Sequence, residues 1–198
     1  MINESLQFLA EEINKYLNVK LPGADINQPR LVVGNIALAA ETTAPDPDVK
    51  NRAVLSLVNI EEDRIAKQQE NYTKTNTSTI YKNPPIYLNL YILFSVNRRK
   101  YDDSLDFLTS IIRFFQFQNV FTPITHPSLD SRIQKMMVDL HSMSFEQLNH
   151  LWSILGGKYY PSVLYKIRQV TLDENAIISE SALIKEIQLN DKMKLPVS

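Results

Sequence analysis

The amino-acid sequence predicts an α+β fold, because segments with the period of a helix are interspersed with segments in which apolar residues alternate. Residues 86–97 place an apolar side chain at every second position, as a β-strand with a buried face does. Residues 4–18 and 103–117 instead repeat their apolar side chains every three or four positions, as amphipathic helices do. With 198 residues, 44% of them hydrophobic, the chain is large enough for one domain that spans residues 1–198.

The N-terminal part is predicted to contain one helix and two strands. Asn3 is positioned to cap the helix over residues 4–18. The apolar stripe of this helix consists of Leu6, Leu9, Ile13, Tyr16 and Leu17. Residues 31–39 and 54–60 are predicted strands, since β-branched and aliphatic residues dominate them, and the proline-containing residues 41–48 form a loop between them.

A polar segment follows the second of these strands. It begins with the charged residues Glu61, Glu62, Asp63 and Arg64. Residues 66–80 are then rich in Gln, Asn and Thr, and they offer few apolar side chains to a core. We therefore predict that residues 66–80 form a long loop or an extended arm that is flexible in the isolated protein.

The strand over residues 86–97 leads into a helix over residues 103–117 that is unusually apolar. The second face of the strand is amphipathic and suits either another layer of the fold or a partner. The helix has two apolar stripes, where a surface helix needs one. The first stripe is formed by Leu105, Leu108, Ile112 and Phe115, and the second by Phe107, Ile111 and Phe114. Such a helix is either central in the core or covered on its far side by another subunit, and the second stripe is the candidate interface.

The next two predicted elements are a strand over residues 132–141 and a third helix. Ser144 and Gln147 have the spacing of a capping box, in which each side chain bonds to the backbone amide of the other residue. The buried face of this helix is predicted to comprise Phe145, Leu148, Leu151, Trp152 and Leu155.

Gly156 and Gly157 predict where the third helix ends, because glycine readily adopts the left-handed conformation of a helix C-cap. Both glycines follow a helix rather than precede one, so they do not indicate a phosphate site. Residues 163–172 are predicted to form a strand, and residues 182–189 a short strand or helix.

The sequence predicts no catalytic residue, no metal site and no cofactor. The absence of cysteine excludes disulfides, thiolate nucleophiles and cysteine-based zinc sites. The histidines are His126, His141 and His150, and no two of them have the spacing of a helical zinc site. The four glycines do not form a phosphate-binding loop. A small hydrolase whose site combines one of these histidines with distant carboxylates is an alternative, because such sites assemble from distant residues.

Charge and hydropathy also limit the partners. A net charge of −1 gives no general attraction to nucleic acid or to an anionic membrane. Two short basic and aromatic runs, residues 98–101 and 158–160, favour a solvated turn or a protein interface over single-stranded nucleic acid. The N-terminus lacks the features of a secretory signal, and no segment is long and apolar enough for a membrane span. We expect synthesis in the cytoplasm and no membrane insertion.

Four segments together resemble the tail-terminator (cap) proteins of contractile injection systems, which are phage-tail-like particles. They are residues 59–64, 83–95, 101–116 and 145–168, and they occur in the order found in that family. The resemblance implies an α+β fold with helices packed against a mainly antiparallel sheet, as in tail terminators of long-tailed phages. It also implies a structural, non-enzymatic role for a protein made in the bacterial cytoplasm.

The implied role is to close the distal end of the particle. Family members form a ring, typically a homohexamer, that caps the inner tube, contacts the last sheath ring and stops polymerisation. The implied partners are therefore other copies of the chain, the tube protein and the sheath protein. Another tube–sheath adaptor of the same particle is an alternative, as is a monomeric binding module.

A ring requires surfaces that meet neighbouring subunits. The candidate interface comprises Glu61, Glu62, Asp63, Arg64, Phe107, Ile111, Phe114, Lys158, Tyr159, Tyr160 and Arg168. The four charged residues at 61–64 are expected to set the register between subunits. The arm over residues 66–80 is expected to order on the tube or the sheath.

Overall fold

The computed structural model describes residues 1–21, 29–40, 49, 51–63, 72–74, 78–82, 85–172 and 177–182. The chain divides into two compact units, and the single domain over residues 1–198 stays a prediction. The first unit comprises Met1–Ala66 and Ile86–Leu172, and the second comprises Lys67–Pro85 and Asp173–Ser198.

The first unit contains helices, strands and one short 3-10 helix among its described residues. The helices are α1 (Ile2–Lys20), α2 (Tyr101–Phe117) and α3 (Phe145–Ile154), and the 3-10 helix is Ile36–Ala40. The strands of this unit are β1 (Leu31–Val33), β2 (Ala53–Glu62), β5 (Ile86–Val96), β6 (Val120–Phe121), β7 (Met136–His141) and β8 (Ser162–Leu172). The strands of the second unit are β3 (Tyr72–Lys74), β4 (Ser78–Lys82) and β9 (Ile177–Ala182).

The six strands of the first unit form one sheet in the order β1-β2-β5-β8-β7-β6. β1 and β2 are parallel, and every other neighbouring pair of this sheet is antiparallel. The expected α+β fold with a mainly antiparallel sheet is therefore confirmed. The register pairs Ala53 with Val96 and Ser95 with Ser162, so the start of β2, the end of β5 and the start of β8 lie at the same end of the sheet.

Helices α1 and α2 cover one face of this sheet and form the main core with it. The buried side chains include Leu9, Ile13 and Leu17 of α1, Ile111, Phe114 and Phe115 of α2, and Leu90, Ile92 and Phe94 of β5. The alternating apolar positions of β5 face these helices, as the period of two predicts. Burial of each such side chain contributes about 1.5–3 kcal/mol, so this layer supplies much of the free energy of folding.

A second, smaller core lies on the opposite face of the sheet. Trp152 of α3 packs there with Leu93 of β5 and Leu164 of β8. Ile36 of the 3-10 helix and Val54 of β2 belong to the same cluster. The second face of β5 therefore meets another layer of the fold around Leu93.

The first helix and the first strand differ from their predicted bounds. Asn3 does not cap α1, because the helix begins at Ile2 and Met1 is its N-cap residue, without a side-chain cap. The predicted strand over residues 31–39 ends at Val33. The chain then forms the 3-10 helix, since Ser56 Oγ donates to Gly34 O (2.7 Å) and accepts from Ile36 N (3.2 Å). The alanines of this segment also lack the β-branched side chains that favour a strand.

The strand predicted over residues 132–141 begins only at Met136. The carboxylate of Asp130 accepts hydrogen bonds from the backbone N (2.9 Å) and Nε (3.0 Å) of Arg132. These bonds hold a turn, because an aspartate side chain competes with strand pairing for nearby amides. They and the charge of Arg132 also keep the pKa of Asp130 well below its ordinary value.

The start and end of α3 agree with the sequence, but the predicted buried face agrees only in part, since Trp152 is buried while Leu148, Leu151 and Leu155 are half-buried. Ser144 Oγ accepts from Gln147 N (3.2 Å), and Gln147 Oε1 accepts from Ser144 N (3.0 Å), which confirms the capping box. Gly156 and Gly157 have φ angles of 97° and 76°, which confirms the left-handed end of the helix. Phe145 was predicted to be buried, but it is 92% exposed.

The second unit includes part of the predicted arm. β3 and β4 pair antiparallel, and β4 also pairs antiparallel with β9. Within the segment predicted as a long loop or an extended arm, residues 72–74 and 78–80 thus form strands, since Tyr, Thr and Ile have high strand propensity. The flexibility of the arm stays a prediction. The predicted loop at 41–48 and residues 183–189 lie outside the described residues.

Candidate interaction surfaces

The acidic segment at the end of β2 is held to the neighbouring strand. Glu61 Oε2 accepts a hydrogen bond from the hydroxyl of Tyr91 on β5 (2.7 Å). Lys166 Nζ lies 5.3 Å from the centre of the Tyr91 ring. Burial raises the pKa of Tyr91, and the bond to Glu61 raises it further, because a neighbouring carboxylate disfavours a phenolate. Glu61 is therefore oriented by Tyr91 while it remains exposed.

The next residues continue this acidic surface. Glu62 is exposed and Asp63 is half-buried, and the backbone N of Asp63 donates to Tyr87 O (2.8 Å). Arg64 lies outside the described residues. Of the predicted charged segment, the structure thus places three carboxylates where β2 ends.

The predicted apolar interface on α2 lies in the core. Phe107, Ile111 and Phe114 are between 0% and 6% exposed, because this stripe faces the sheet and α1. The more exposed apolar side chains of α2 are Leu105, Ile112 and Phe117. The excess apolar surface of the helix is therefore real, but it lies on the side opposite to the predicted one.

The end of β5 carries a basic cluster whose geometry the sequence did not predict. The guanidinium carbon of Arg98 lies 4.4 Å from the centre of the Phe107 ring, and Arg98 Nη1 donates to Asn51 O (3.1 Å). Asn51 has a φ of 59°, and its Oδ1 accepts from Arg99 N (3.2 Å). Burial lowers the pKa of Arg98, while Asp103 opposes that shift. The sequence of residues 98–100 indicated positive charge, but it did not indicate that Arg98 packs against Phe107.

The loop after α3 packs against the helix through two tyrosines. The ring centres of Tyr159 and Tyr160 lie 5.7 Å and 5.8 Å from the Trp152 ring. Tyr159 and Lys158 are exposed, whereas Tyr160 is half-buried. This loop therefore presents one aromatic ring and one cation to solvent next to the start of β8.

Arg168 stands apart from this loop, on β8. It forms an ion pair with Asp139, a residue of the neighbouring strand β7. The predicted interface residues thus do not form one patch. The acidic residues lie where β2 ends, Lys158 lies at the opposite end of the sheet, and Arg168 lies on the sheet itself.

Several exposed apolar side chains were not predicted as interface residues. Large ones are Ile60, Ile86, Tyr101, Phe117, Ile124, Leu140, Phe145 and Ile154. Ile60 and Ile86 lie near the acidic end of β2, while Tyr101 begins α2. Sequence periodicity assigns such positions to a face of an element, but it does not show whether another layer covers that face.

His126 and His141 have structural contacts, while His150 is exposed on α3. The ring of His126 lies against Phe8 and Phe121, and its Nδ1 lies 2.9 Å from Thr125 Oγ1. The ring of His141 packs edge-on against Tyr91. Among the described residues, no group of three or more His, Asp or Glu side chains is arranged to hold a metal ion. No helix in that part of the chain combines the length and the apolar character that crossing a bilayer requires.

A solved structure with a similar fold comes from a contractile injection system. The sheath/tube terminator of the extracellular contractile injection system PVC, solved by cryo-EM in its extended state, has a TM-score of 0.61 and 12% identity, and the alignment covers 100% of this chain and 65% of that chain. The tube-terminating cap of the anti-feeding prophage has a TM-score of 0.48 and 13% identity, with 97% and 61% of the two chains covered. This chain thus spans less than two thirds of either solved chain. No curated protein sequence matches it.

A family model provides the assignment. The model described as the Pvc16 N-terminal domain matches residues 6–186, which include every strand of the described structure and its helices except the first four residues of α1. The fold shared with the PVC terminator agrees with this match. The chain therefore belongs to the Pvc16 N-terminal domain family.

Proposed function

We propose that this protein is a structural cap, or tail terminator, of a contractile injection system. The observation that carries the proposal is the family match over residues 6–186, supported by the fold shared with a sheath/tube terminator. The cap forms a ring on the distal end of the inner tube, contacts the last sheath ring and stops further polymerisation. This role is structural, with no enzymatic step.

The proposed partners are further copies of this chain, the tube protein and the sheath protein. A homohexamer is the expected ring. Such a ring needs lateral surfaces for its neighbours and separate surfaces for the tube and sheath. The exposed surfaces described above are distributed over both ends of the sheet and over α2, as that arrangement requires.

The solvent face of α2 is a candidate surface for the tube or the sheath. Leu105 and Ile112 are 42% and 41% exposed, and Phe117 at the end of the helix is more exposed still. Leu105 and Ile112 are seven positions apart and share one face of the helix, and exposed apolar side chains on one face favour an interaction surface. The arm over residues 66–80 is proposed to order on the same partners, and the protein is proposed to be made in the bacterial cytoplasm before it joins the distal end.

Imaging of particles tests this function. Purified particles from cells with and without the gene are compared by negative-stain microscopy, with the gene restored as the control. Uniform tubes with a closed distal end, which become long or ragged when the gene is removed, are the expected result. Unchanged particle lengths and closed ends without the protein would overturn the proposal.

A second measurement separates the cap from an adaptor. Labelled protein is mixed with preformed tubes, and its position is read by electron microscopy. A cap binds only at one tube end, at a fixed number of copies per tube. Binding along the flank, in proportion to tube length, would favour another tube–sheath adaptor instead.

A further inference from the structure

Among the residues that the structure describes, cations gather at one end of the six-stranded sheet and carboxylates at the end of β2. The basic end is defined by Arg52, Arg98, Arg99, Lys100 and Lys158, which lie where β2 starts, β5 ends and β8 is about to start. The acidic end is defined by Glu61, Glu62 and Asp63, where β2 finishes. Because β2 and β5 are antiparallel, the start of β2 lies beside the end of β5, and the end of β2 lies at the other end of the sheet.

Carboxylates and a further cation lie beside the basic end among the described residues. Asp102 and Asp103 lie in the first turn of α2, where carboxylates interact favourably with the helix dipole. Arg30 is buried nearby, and its positive charge contributes to the lowered pKa of Arg98. Arg99 and Lys100 remain exposed beside these groups.

Each end also presents exposed apolar or aromatic side chains. Tyr101 and Tyr159 flank the basic end, and each is about three-fifths exposed. Ile60 and Ile86 flank the acidic end, and each is nearly half exposed. Aromatic residues with arginine are enriched in protein interfaces, where apolar contact supplies affinity and charge supplies specificity.

The two ends cannot meet within one molecule. β5 connects them and contains 11 residues, so they are separated by about 35 Å. That distance is several Debye lengths at physiological salt, which are about 8 Å each. Their complementary charges can therefore act strongly only between molecules.

We propose that the basic end of one copy binds the acidic end of the next, so that copies of this chain associate head to tail. A contact between two different patches is heterologous, and repetition of it closes into a ring if the rotation per subunit allows it. The inference rests on the proposed cap function, for which it supplies the lateral contact of the ring. It assigns Glu61, Glu62, Arg99 and Lys100 to that contact.

Cysteine cross-linking tests the geometry directly, since the chain has no cysteine of its own. The variant Glu62→Cys/Lys100→Cys is treated with a short bifunctional maleimide, in concentrated solution and on assembled particles. A head-to-tail contact produces a ladder of oligomers from the double variant and only monomers from either single variant. Dimers from a single variant would indicate a two-fold contact and overturn the proposal, as would the absence of a ladder under both conditions.

Charge exchange tests the electrostatic part. In the double-cysteine background, Glu61→Lys or Arg99→Glu alone should lower the cross-linking yield about tenfold, because like charges then face each other. The two changes together should restore most of the yield, which a merely structural effect would not do. Arg113→Glu, at an exposed position on α2 three turns from the basic end, is the matched control and should leave the yield unchanged. Equal losses in the single and combined variants would contradict the pairing.

A milder variant at position 61 controls for misfolding of the charge-reversal variant. Glu61→Gln keeps an acceptor for the Tyr91 hydroxyl, and it should lower the yield less than Glu61→Lys does. Closed tube ends without any cross-link between positions 62 and 100 would overturn the head-to-tail contact and leave the cap function standing. Cross-linked rings on tubes that still grow without limit would overturn the cap function and leave the head-to-tail contact standing.

Discussion

The guanidinium group of Arg98 lies over the ring of Phe107, with 4.4 Å between the guanidinium carbon and the ring centre. Phe107 belongs to the core stripe of α2, and Arg98 lies two residues after the end of β5. The same guanidinium donates to Asn51 O, just before β2 begins. One side chain thus joins a helix, a strand end and a turn, and it fixes the geometry of the basic end.

Arg98→Ala should lower the free energy of unfolding by about 1–2 kcal/mol, because it removes a partly desolvated cation–π contact and a charged hydrogen bond. Arg98→Lys should recover part of this loss, since it keeps the charge but not the planar group. Urea unfolding measures both. Arg99→Ala, at an exposed position, is the control and should change stability by less than about 0.5 kcal/mol. Equal effects at positions 98 and 99 would contradict the role of the ring contact.

Ser144→Ala should destabilise the protein by about 1 kcal/mol, because it leaves the amide of Gln147 without its capping acceptor. Ser144→Asn should restore most of the stability, since asparagine also caps helices. Thermal unfolding followed by circular dichroism measures the difference. Ser153→Ala removes a hydroxyl of the same helix that donates only to Asn149 O, and it should be nearly neutral. A neutral Ser144→Ala would show that tertiary packing alone holds the start of α3.

Trp152→Ala should cost about 3–5 kcal/mol, because it removes the largest side chain of the second core. Trp152→Phe should cost less than about 1.5 kcal/mol, since the buried indole N–H makes no hydrogen bond within the described part of the chain. Urea unfolding followed by circular dichroism measures both variants. Phe145→Ala, at the exposed start of α3, is the matched aromatic control and should change little. A large loss for Trp152→Phe would indicate that the indole nitrogen does have a partner.

Stability should decrease at alkaline pH through Tyr165. Burial raises the pKa of Tyr165 to about 12 in the folded protein, whereas an exposed tyrosine titrates near 10. The folded state therefore holds the proton more tightly than the unfolded chain does, so this contribution is complete below about pH 10 and is lost as the pH rises toward 12. Urea midpoints between pH 8 and 11.5 measure this decrease.

Tyr165→Phe should flatten the dependence of those midpoints on pH, because phenylalanine does not ionise. Tyr159→Phe, at an exposed position, should leave the dependence as it is in the unaltered protein. An unchanged alkaline slope in Tyr165→Phe would assign the effect to other tyrosines.

Elements defined by neighbours in the sequence were predicted well. The capping box of Ser144 and Gln147, the left-handed Gly156 and Gly157, and the alternation of β5 need only residues within a few positions of each other. Hydrogen bonds of this kind form within one turn or one strand, so their pattern is visible in the sequence. Family resemblance added the antiparallel sheet, which local patterns do not contain.

The tertiary structure determined which apolar stripe of α2 is buried. α2 has two apolar stripes of similar character, and the position of the sheet and α1 decided that Phe107 lies inside while Leu105 lies outside. Phe145 and the strand predicted over residues 31–39 failed for the same reason, since a partner layer or a hydroxyl such as that of Ser56 acts from a distant part of the chain.

The sequence by itself determined the helices, the long strands and the family to which the chain belongs, because these depend on local periodicity and on motifs in a fixed order. Only the tertiary structure decided that carboxylates and cations gather at opposite ends of one sheet. That arrangement follows from strand pairing, which brings Ala53 beside Val96 across more than forty positions of sequence. Charge separation over such distances arises from strand order and register, and neither is encoded in any single segment.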